Sequence, residues 1–234
     1  MPKSYKDYVF KDGFLVGEFD AMYKESKEVP WNQDKTAFSL AVDFDLIILK
    51  KYLPVSKLNV LDIGCGMGCV TDRLRKELSV STVSGCDVSE HAIKKAREKY
   101  DRINFFCKDM LCKTSQPQKK YDFIYLKDIL WYVIDDTEIF IENILSLLKP
   151  DGMLYTMQSF PDLEDYYGKS IFPNPESILK FYEKYFQFRY KSIIKENYNF
   201  FDSTRVSNNY NHEFYVRFFG VRKYSEKICK KNLL

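Results

Sequence analysis

The chain has 234 residues, with 36 Lys and Arg against 33 Asp and Glu. A net charge of +3 is too small a surplus to make a nucleic-acid footprint, so no nucleic-acid partner is expected. With 45 % hydrophobic and 29 % charged residues, the composition is that of a folded domain and not of a disordered, collagen-like or membrane chain.

The longest apolar stretches, such as Phe44 to Leu49, are broken by Asp or Lys well short of the roughly 18 to 20 residues that cross a bilayer. The start, Met1-Pro2-Lys3-Ser4-Tyr5-Lys6-Asp7, is charged and lacks the apolar centre of a signal peptide. These two features predict a cytoplasmic protein whose six cysteines are thiols. A chain of this length buries roughly 70 to 75 % of its unfolded surface, so one domain over residues 1–234 is expected to fold without disulfides or a metal. Residues 1–55 read as a helical lid or substrate segment, 56–160 as a ligand-binding core, and 161–234 as a substrate-side ending.

From Ser56 onward short apolar runs alternate with helix-like periodic segments, the pattern of βαβ units on a parallel sheet. Val60 to Ile63 is the first predicted strand. Val70, Leu74 and Leu78 then recur at helical spacing between charged residues. A second strand, Thr82 to Cys86, leads into Asp87, and Ser89 reads as the N-cap of a helix to Tyr100. The third strand is Ile103 to Cys107 and the fourth Phe123 to Leu126. A helix from about Thr137 to Leu148 stops at Lys149-Pro150-Asp151-Gly152, a turn signal, before a fifth strand from Met153 to Gln158. A loop from Phe160 to Asn174 and a helix from Pro175 to Phe186 follow. Two aromatic-rich runs, Phe188 to Ile194 and Phe214 to Val221, predict an antiparallel ending.

The informative stretch is Asp62-Ile63-Gly64-Cys65-Gly66-Met67-Gly68, between a predicted strand and a predicted helix. Glycines let the backbone turn sharply and approach a ligand closely, and the following helix offers free N–H groups. Asp87 ends the second strand, where a carboxylate can accept both ribose hydroxyls of a nucleoside. Asp109 ends the third, within reach of an adenine amino group. A dinucleotide fingerprint is G-x-G-x-x-G, with the pyrophosphate on the helix N-terminus. This chain instead has G-x-G-x-G preceded by Asp62, which lacks a phosphate cradle and puts a carboxylate near the amino-acid end of a cationic ligand. The spacing favours a methionine-type ligand over a dinucleotide, and with it disfavours a dehydrogenase.

At this point the sequence resembles the class I S-adenosylmethionine-dependent methyltransferases of small-molecule type. The matching pieces are Val60 to Gly68, Gly85-Cys86-Asp87-Val88-Ser89, Lys108-Asp109-Met110, Tyr121 to Ile124, and Leu147 to Gly152, in family order. The resemblance implies a Rossmann-like α/β fold: a mostly parallel seven-stranded sheet with an antiparallel C-terminal hairpin and helices on both faces. It implies S-adenosylmethionine as cofactor and S-adenosylhomocysteine as product. Asp62 would then organise the methionine amino group beside Gly64, Cys65, Gly66 and Gly68. Asp87 and Val88 would hold the ribose, Asp109 the adenine amino group, and Met110 a face of the ring, with Leu126 at the end of the fourth strand. Pro30-Trp31-Asn32 is similar to the opening segment of small-molecule methyltransferases in which an aromatic lid, here Trp31, covers the cofactor.

On the substrate side, Asp128-Ile129-Leu130-Trp131-Tyr132 departs from a family segment that commonly reads Asp-Val-Leu-Glu-His. Tyr132 stands where a histidine is frequent, so Tyr132 is expected to orient the acceptor and Lys127 to bind an anionic group or accept a proton. His212, in a polar cluster before the last β run, is the candidate general base because its ordinary pKa lies near 6.5. Tight cysteine pairs of the kind that hold zinc are missing, and no metal site is expected. Lys127, Arg189, Arg205 and Arg217, if they converge, would suit an anionic acceptor. The expected activity is methyl transfer to an oxygen of a small, anionic or sugar- or nucleotide-linked metabolite, of the kind found in bacterial capsule or surface-glycan pathways. N-methylation of an amine is the alternative, and a non-catalytic cofactor-binding subunit is the alternative from another class. A monomer or homodimer with no membrane partner is expected.

Overall fold

The computed structural model describes residues 4–54, 57–78, 80, 82–112, 119–197 and 212–223. The chain opens with a single 3-10 turn, Tyr5–Tyr8, and two short antiparallel strands, β1 (Phe10–Lys11) and β2 (Phe14–Leu15). Residues 4–54 therefore hold two short strands beside the helices, where the sequence reading of 1–55 as a helical segment expected helices alone. Helices α1 (Phe19–Glu25), α2 (Gln33–Thr36) and α3 (Leu40–Tyr52) follow.

Then the βα alternation begins: β3 (Asn59–Ile63), α4 (Cys69–Glu77), β4 (Thr82–Asp87), α5 (Glu90–Lys99) and β5 (Asn104–Cys107). Next come β6 (Tyr121–Lys127), α6 (Thr137–Leu147), β7 (Leu148–Pro161) and α7 (Pro175–Glu183). The ending is a hairpin of β8 (Phe186–Asn197) and β9 (His212–Arg222). Strand β7 is longer than its sequence predicted. It begins at Leu148, pairing with Tyr121, and a register irregularity between Tyr121 and Phe123 lets it run through Pro150-Asp151-Gly152.

The seven strands form one sheet in the order β5-β4-β3-β6-β7-β9-β8, parallel from β5 to β7 and antiparallel from β7 to β8. Parallel strands covered on both faces read as continuous apolar runs, which is why this part of the sequence is legible. On one face Val60, Val83, Phe123, Tyr125, Tyr155 and Met157 are buried against Leu46 and Leu49 of α3 and Leu74 of α4. Helix α5 covers the β4–β5 end by packing Ile93 and Ala96 with Phe105 of β5. On the opposite face Leu61, Ile124, Leu126, Leu154 and Phe218 meet α6 and α7 through Phe140, Ile144, Ile178 and Phe181.

A polar network lies within the α3 face. Asp45, fully buried, accepts the hydroxyls of Tyr125 at 2.8 Å and Tyr155 at 2.6 Å and the Nε–H of Arg217 at 2.9 Å. Arg217 is itself 2 % exposed and sandwiched by the Phe44 and Tyr215 rings. A buried charge persists only when its partner and hydrogen bonds replace water, as they do here.

Candidate functional site

The carboxyl ends of the parallel strands gather at one edge, the place where open α/β sheets bind ligands. Strand β3 delivers Asp62 and runs into the glycine loop. Gly64, Gly66 and Gly68 all have left-handed backbones, with φ of 73°, 52° and 77°. At Gly66 the requirement is doubled, because a side chain would run into the Gln33 amide and the Tyr23 hydroxyl. Gly68 turns the chain into α4 as its N-cap, and Cys65, beside it, is buried, which pushes its thiol up.

Asp62 is 3 % exposed and accepts the Thr71 hydroxyl on Oδ2 at 2.6 Å. Its other oxygen carries no hydrogen bond among the described residues. Burial pushes this carboxyl up to about 7, opposed by the Thr71 bond and reinforced by the nearby charge of Asp87. Asp87 ends β4 with both oxygens engaged: Oδ1 accepts Ser89 N–H at 2.9 Å and Oδ2 accepts Gly66 N–H at 2.8 Å. Burial raises its pKa, and these backbone donors pull against the rise.

Beyond β5, Asp109 is exposed and accepts Leu111 N–H on Oδ1 at 2.8 Å and the Cys112 thiol on Oδ2 at 3.3 Å. Met110 is buried beside it, its carbonyl accepting the Asn143 side-chain amide at 2.8 Å. Val88, immediately after Asp87, is 45 % exposed, an apolar side chain left uncovered at this edge. Leu126, next to Ile63 across the β3–β6 ladder, is buried. The fold thus brings Asp62, Gly64, Cys65, Gly66, Gly68, Asp87, Val88, Asp109, Met110 and Leu126 to one edge of the sheet.

Past β6 the chain bends at Asp128, a non-glycine residue with φ 55°. Asp128 Oδ2 accepts Lys127 Nζ at 2.7 Å, and Oδ1 accepts Ser159 N–H at 2.7 Å. Burial alone would raise this carboxyl, but the Lys127 ammonium and the Ser159 donor carry it below the usual range. Tyr132, on the following 3-10 turn, joins Phe10, Phe19 and Trp31 at ring separations of 6.3, 5.2 and 5.9 Å. Burial raises the Tyr132 phenol, and the Asp128 charge adds to the rise. Trp31, half-buried in a left-handed turn with φ 53°, also packs on Tyr5 and Tyr23.

His212 opens β9, paired with Asn197 of β8, and its side chain lies outside the described residues. The expected convergence of four cations does not occur. Arg217 is level with Lys127 across β7 but is consumed by Asp45 under α3. Arg189 is exposed near the start of edge strand β8, toward the opposite end of the sheet, and Arg205 lies outside the described residues. The strand period held the correction for Arg217: it falls on the same face as Tyr215 and Phe219, both buried.

Asp20 and Tyr23 lie in Glu18-Phe19-Asp20-Ala21-Met22-Tyr23, a stretch that stands out in the sequence on the substrate side, whereas Gln33 had no sequence signal. Gln33 accepts Met67 N–H at 2.9 Å and donates to the Tyr23 hydroxyl at 2.7 Å, directly on the glycine loop. Asp20 reaches the N-terminus of α5 through Ser89 and His91. These pairs are 10 to 71 residues apart in the chain, too far for a local pattern.

Residues 60–152 match a family model described as a methyltransferase domain. Among curated relatives, a malonyl-[acyl-carrier protein] O-methyltransferase of Ilyobacter polytropus is 30 % identical over 99 residues, 41 % of this chain and 37 % of the relative. A ubiquinone biosynthesis O-methyltransferase of Coxiella burnetii is 34 % identical over 101 residues, 42 % of each protein. The chain therefore spans about two fifths of the length of these relatives. Among solved structures, the N-methyltransferase NodS of Bradyrhizobium japonicum WM9, in complex with S-adenosylhomocysteine, shares the fold with a TM-score of 0.59 at 18 % identity, covering 83 % of this chain and 93 % of NodS. The strand order and the glycine loop agree with these matches: residues 60–152 are similar to a methyltransferase domain, and the chain shares its fold with a solved methyltransferase.

Proposed function

We propose that this protein binds S-adenosylmethionine and transfers its methyl group to an oxygen of a small-molecule acceptor. The observation that carries the reading is Asp62: a buried carboxylate, raised to about 7, with one oxygen free of hydrogen bonds among the described residues. Such a group is stabilised by a cation brought to it, and the cofactor's amino-acid end carries an ammonium. Asp87, fixed by Gly66 and Ser89, is oriented to accept ribose hydroxyls. Val88, Asp109 and Met110 line the adenine side, and Gly64, Cys65, Gly66, Gly68 and Leu126 shape the wall between.

Bound there, the cofactor supplies an activated methyl on a sulfonium. The chain's own contribution is to align the acceptor and exclude water. Trp31 and Tyr132 close the edge with aromatic surface, Lys127 and Asp128 supply the polar contact, and His212 is the candidate base for an acceptor that arrives protonated. The O-methyltransferases among the relatives support oxygen over nitrogen as the acceptor atom. An anionic acceptor of the sugar- or nucleotide-linked, surface-glycan kind would be met through Lys127, in competition with Asp128.

Calorimetric titration with S-adenosylmethionine, S-adenosylhomocysteine and NAD tests the cofactor half. Binding of the first two only, weakened roughly 10- to 150-fold by Asp87→Ala, is expected from loss of a charge-assisted hydrogen bond. NAD binding, or affinity indifferent to Asp87→Ala, overturns the reading. Labelled S-adenosylmethionine with fractionated small-molecule extract tests turnover: label that is bound but never transferred would point to a non-catalytic subunit.

A further inference from the structure

The N-terminal segment meets the glycine loop and Asp87 through hydrogen bonds that close into a ring. On α1, Asp20 Oδ1 accepts the Ser89 hydroxyl at 2.9 Å and His91 N–H at 3.0 Å, and Oδ2 lies 2.8 Å from His91 Nδ1. Ser89 caps α5 by accepting Ala92 N–H at 3.0 Å, and its own N–H goes to Asp87 Oδ1 at 2.9 Å. Asp87 Oδ2 takes Gly66 N–H at 2.8 Å, and the next amide, Met67 N–H, goes to Gln33 Oε1 at 2.9 Å. Gln33 Nε2 donates to the Tyr23 hydroxyl at 2.7 Å, which returns the path to α1. Lys95 Nζ, 2.5 Å from the Tyr23 carbonyl, pins the same helix to α5.

The ring links elements distant in sequence, with steps of 69, 21 and 34 residues at Ser89–Asp20, Gly66–Asp87 and Met67–Gln33. A loop of left-handed glycines has little side-chain packing of its own to hold its shape, so it takes that shape from what is hydrogen-bonded to it. Asp87 likewise owes its orientation to Ser89 and Gly66, and Ser89 is held by Asp20.

We propose that Asp20 and Gln33 are positioning residues of the cofactor site: acting through Ser89 and Met67, they fix Asp87 and the glycine loop, so that tight cofactor binding requires residues 19–36 to be seated. This rests on the reading of the loop and Asp87 as the cofactor site. It assigns the N-terminal segment a part in adenosine recognition that reaches the ligand through other residues.

The test is amide hydrogen exchange on the full chain without ligand, together with calorimetry using S-adenosylhomocysteine. Asp20→Ala should speed exchange both at residues 89–92 and across the ring at 66–67, by roughly fivefold or more, and weaken S-adenosylhomocysteine by a similar factor. Gln33→Ala should do the same at 66–67. Asp20→Asn keeps an oxygen acceptor for Ser89 and His91 N–H and should stay near wild type, a rescue that a general loss of folding would not give. An Asp20→Ala effect confined to 89–92 with unchanged affinity overturns the proposal. Wild-type protein that takes up no S-adenosylhomocysteine overturns the cofactor reading and this proposal together, whereas wild-type binding with unaffected variants overturns this proposal alone.

Discussion

Two carboxylates at the same edge of the sheet, Asp62 after β3 and Asp128 after β6, have opposite electrostatic circumstances. Asp62 has a hydroxyl for company and is raised to about 7 by burial. Asp128 has an ammonium and a backbone N–H and is carried below the usual range. Asp62 thus has no cation against it among the described residues, while Asp128 already holds the Lys127 ammonium. At one edge, burial prevails for the acid that has only a hydroxyl, and the ion pair and its N–H donor outweigh burial for the acid that has a cation.

The comparison is broken most severely from outside it. Arg217→Met leaves Asp45 charged and buried without its partner, and a loss of roughly 3 to 5 kcal/mol in urea unfolding is expected. Cofactor affinity at temperatures where the variant remains folded should hardly change, since Arg217 serves the core.

Next in size is the pH dependence of Asp62. Its folded pKa is raised, so its stabilising contribution is complete below the unfolded value near 4 and is lost as pH rises through about 7. Wild type should lose up to about 4 kcal/mol relative to Asp62→Asn across that window, less if the native state relaxes. Bound S-adenosylmethionine should narrow the gap. A gap that does not change with pH would mean that Asp62 is ionised throughout.

Lys127→Met should convert the second acid into the condition of the first. Asp128 then loses its ammonium, its carboxyl rises, and roughly 1 to 3 kcal/mol is lost above pH 5. In wild type the sign runs the other way from Asp62, with the pair's stability present above the unfolded pKa and lost as pH falls through the depressed one. Thermal melts from pH 3 to 8 measure both. The smallest effect belongs to Tyr132→Phe, which keeps the ring among Phe10, Phe19 and Trp31 and should alter stability by less than about 0.5 kcal/mol. A fall in kcat/KM with unchanged S-adenosylhomocysteine affinity would assign the hydroxyl to the acceptor.

The glycine-loop part of the site was legible because its residues gather at strand ends: Asp62 lies one residue before the end of β3, Asp87 ends β4, Asp109 follows β5 by two residues, and the glycines fill a single turn. The aromatic cluster beside it was not, because its contacts join remote pieces of chain. Trp31 meets Tyr132, and Phe10 meets Tyr132 and Tyr167. The strands at Phe10–Lys11 and Phe14–Leu15 are two residues each, too short to show a period. Pro150-Asp151-Gly152 carries a real turn signal, which the sheet overrides by placing it inside β7 at an irregular step of the ladder. Arg217 looked like a substrate group because a charged residue in a strand invites that reading, and its answering charge, Asp45, is on a helix at the other end of the chain.

That separation matters while the protein is being made. Asp45 leaves the ribosome 172 residues ahead of Arg217, and until the last strand emerges the carboxylate on α3 has no cation to sit against. Helix α3 can form early and meet Val60, Leu74 and Val83, but its Asp45 gains the Arg217 contact only when β9 arrives. The order of synthesis therefore leaves Asp45 without this cation until residue 217 is out. A nascent chain stalled before residue 217 should be the species most in need of a chaperone.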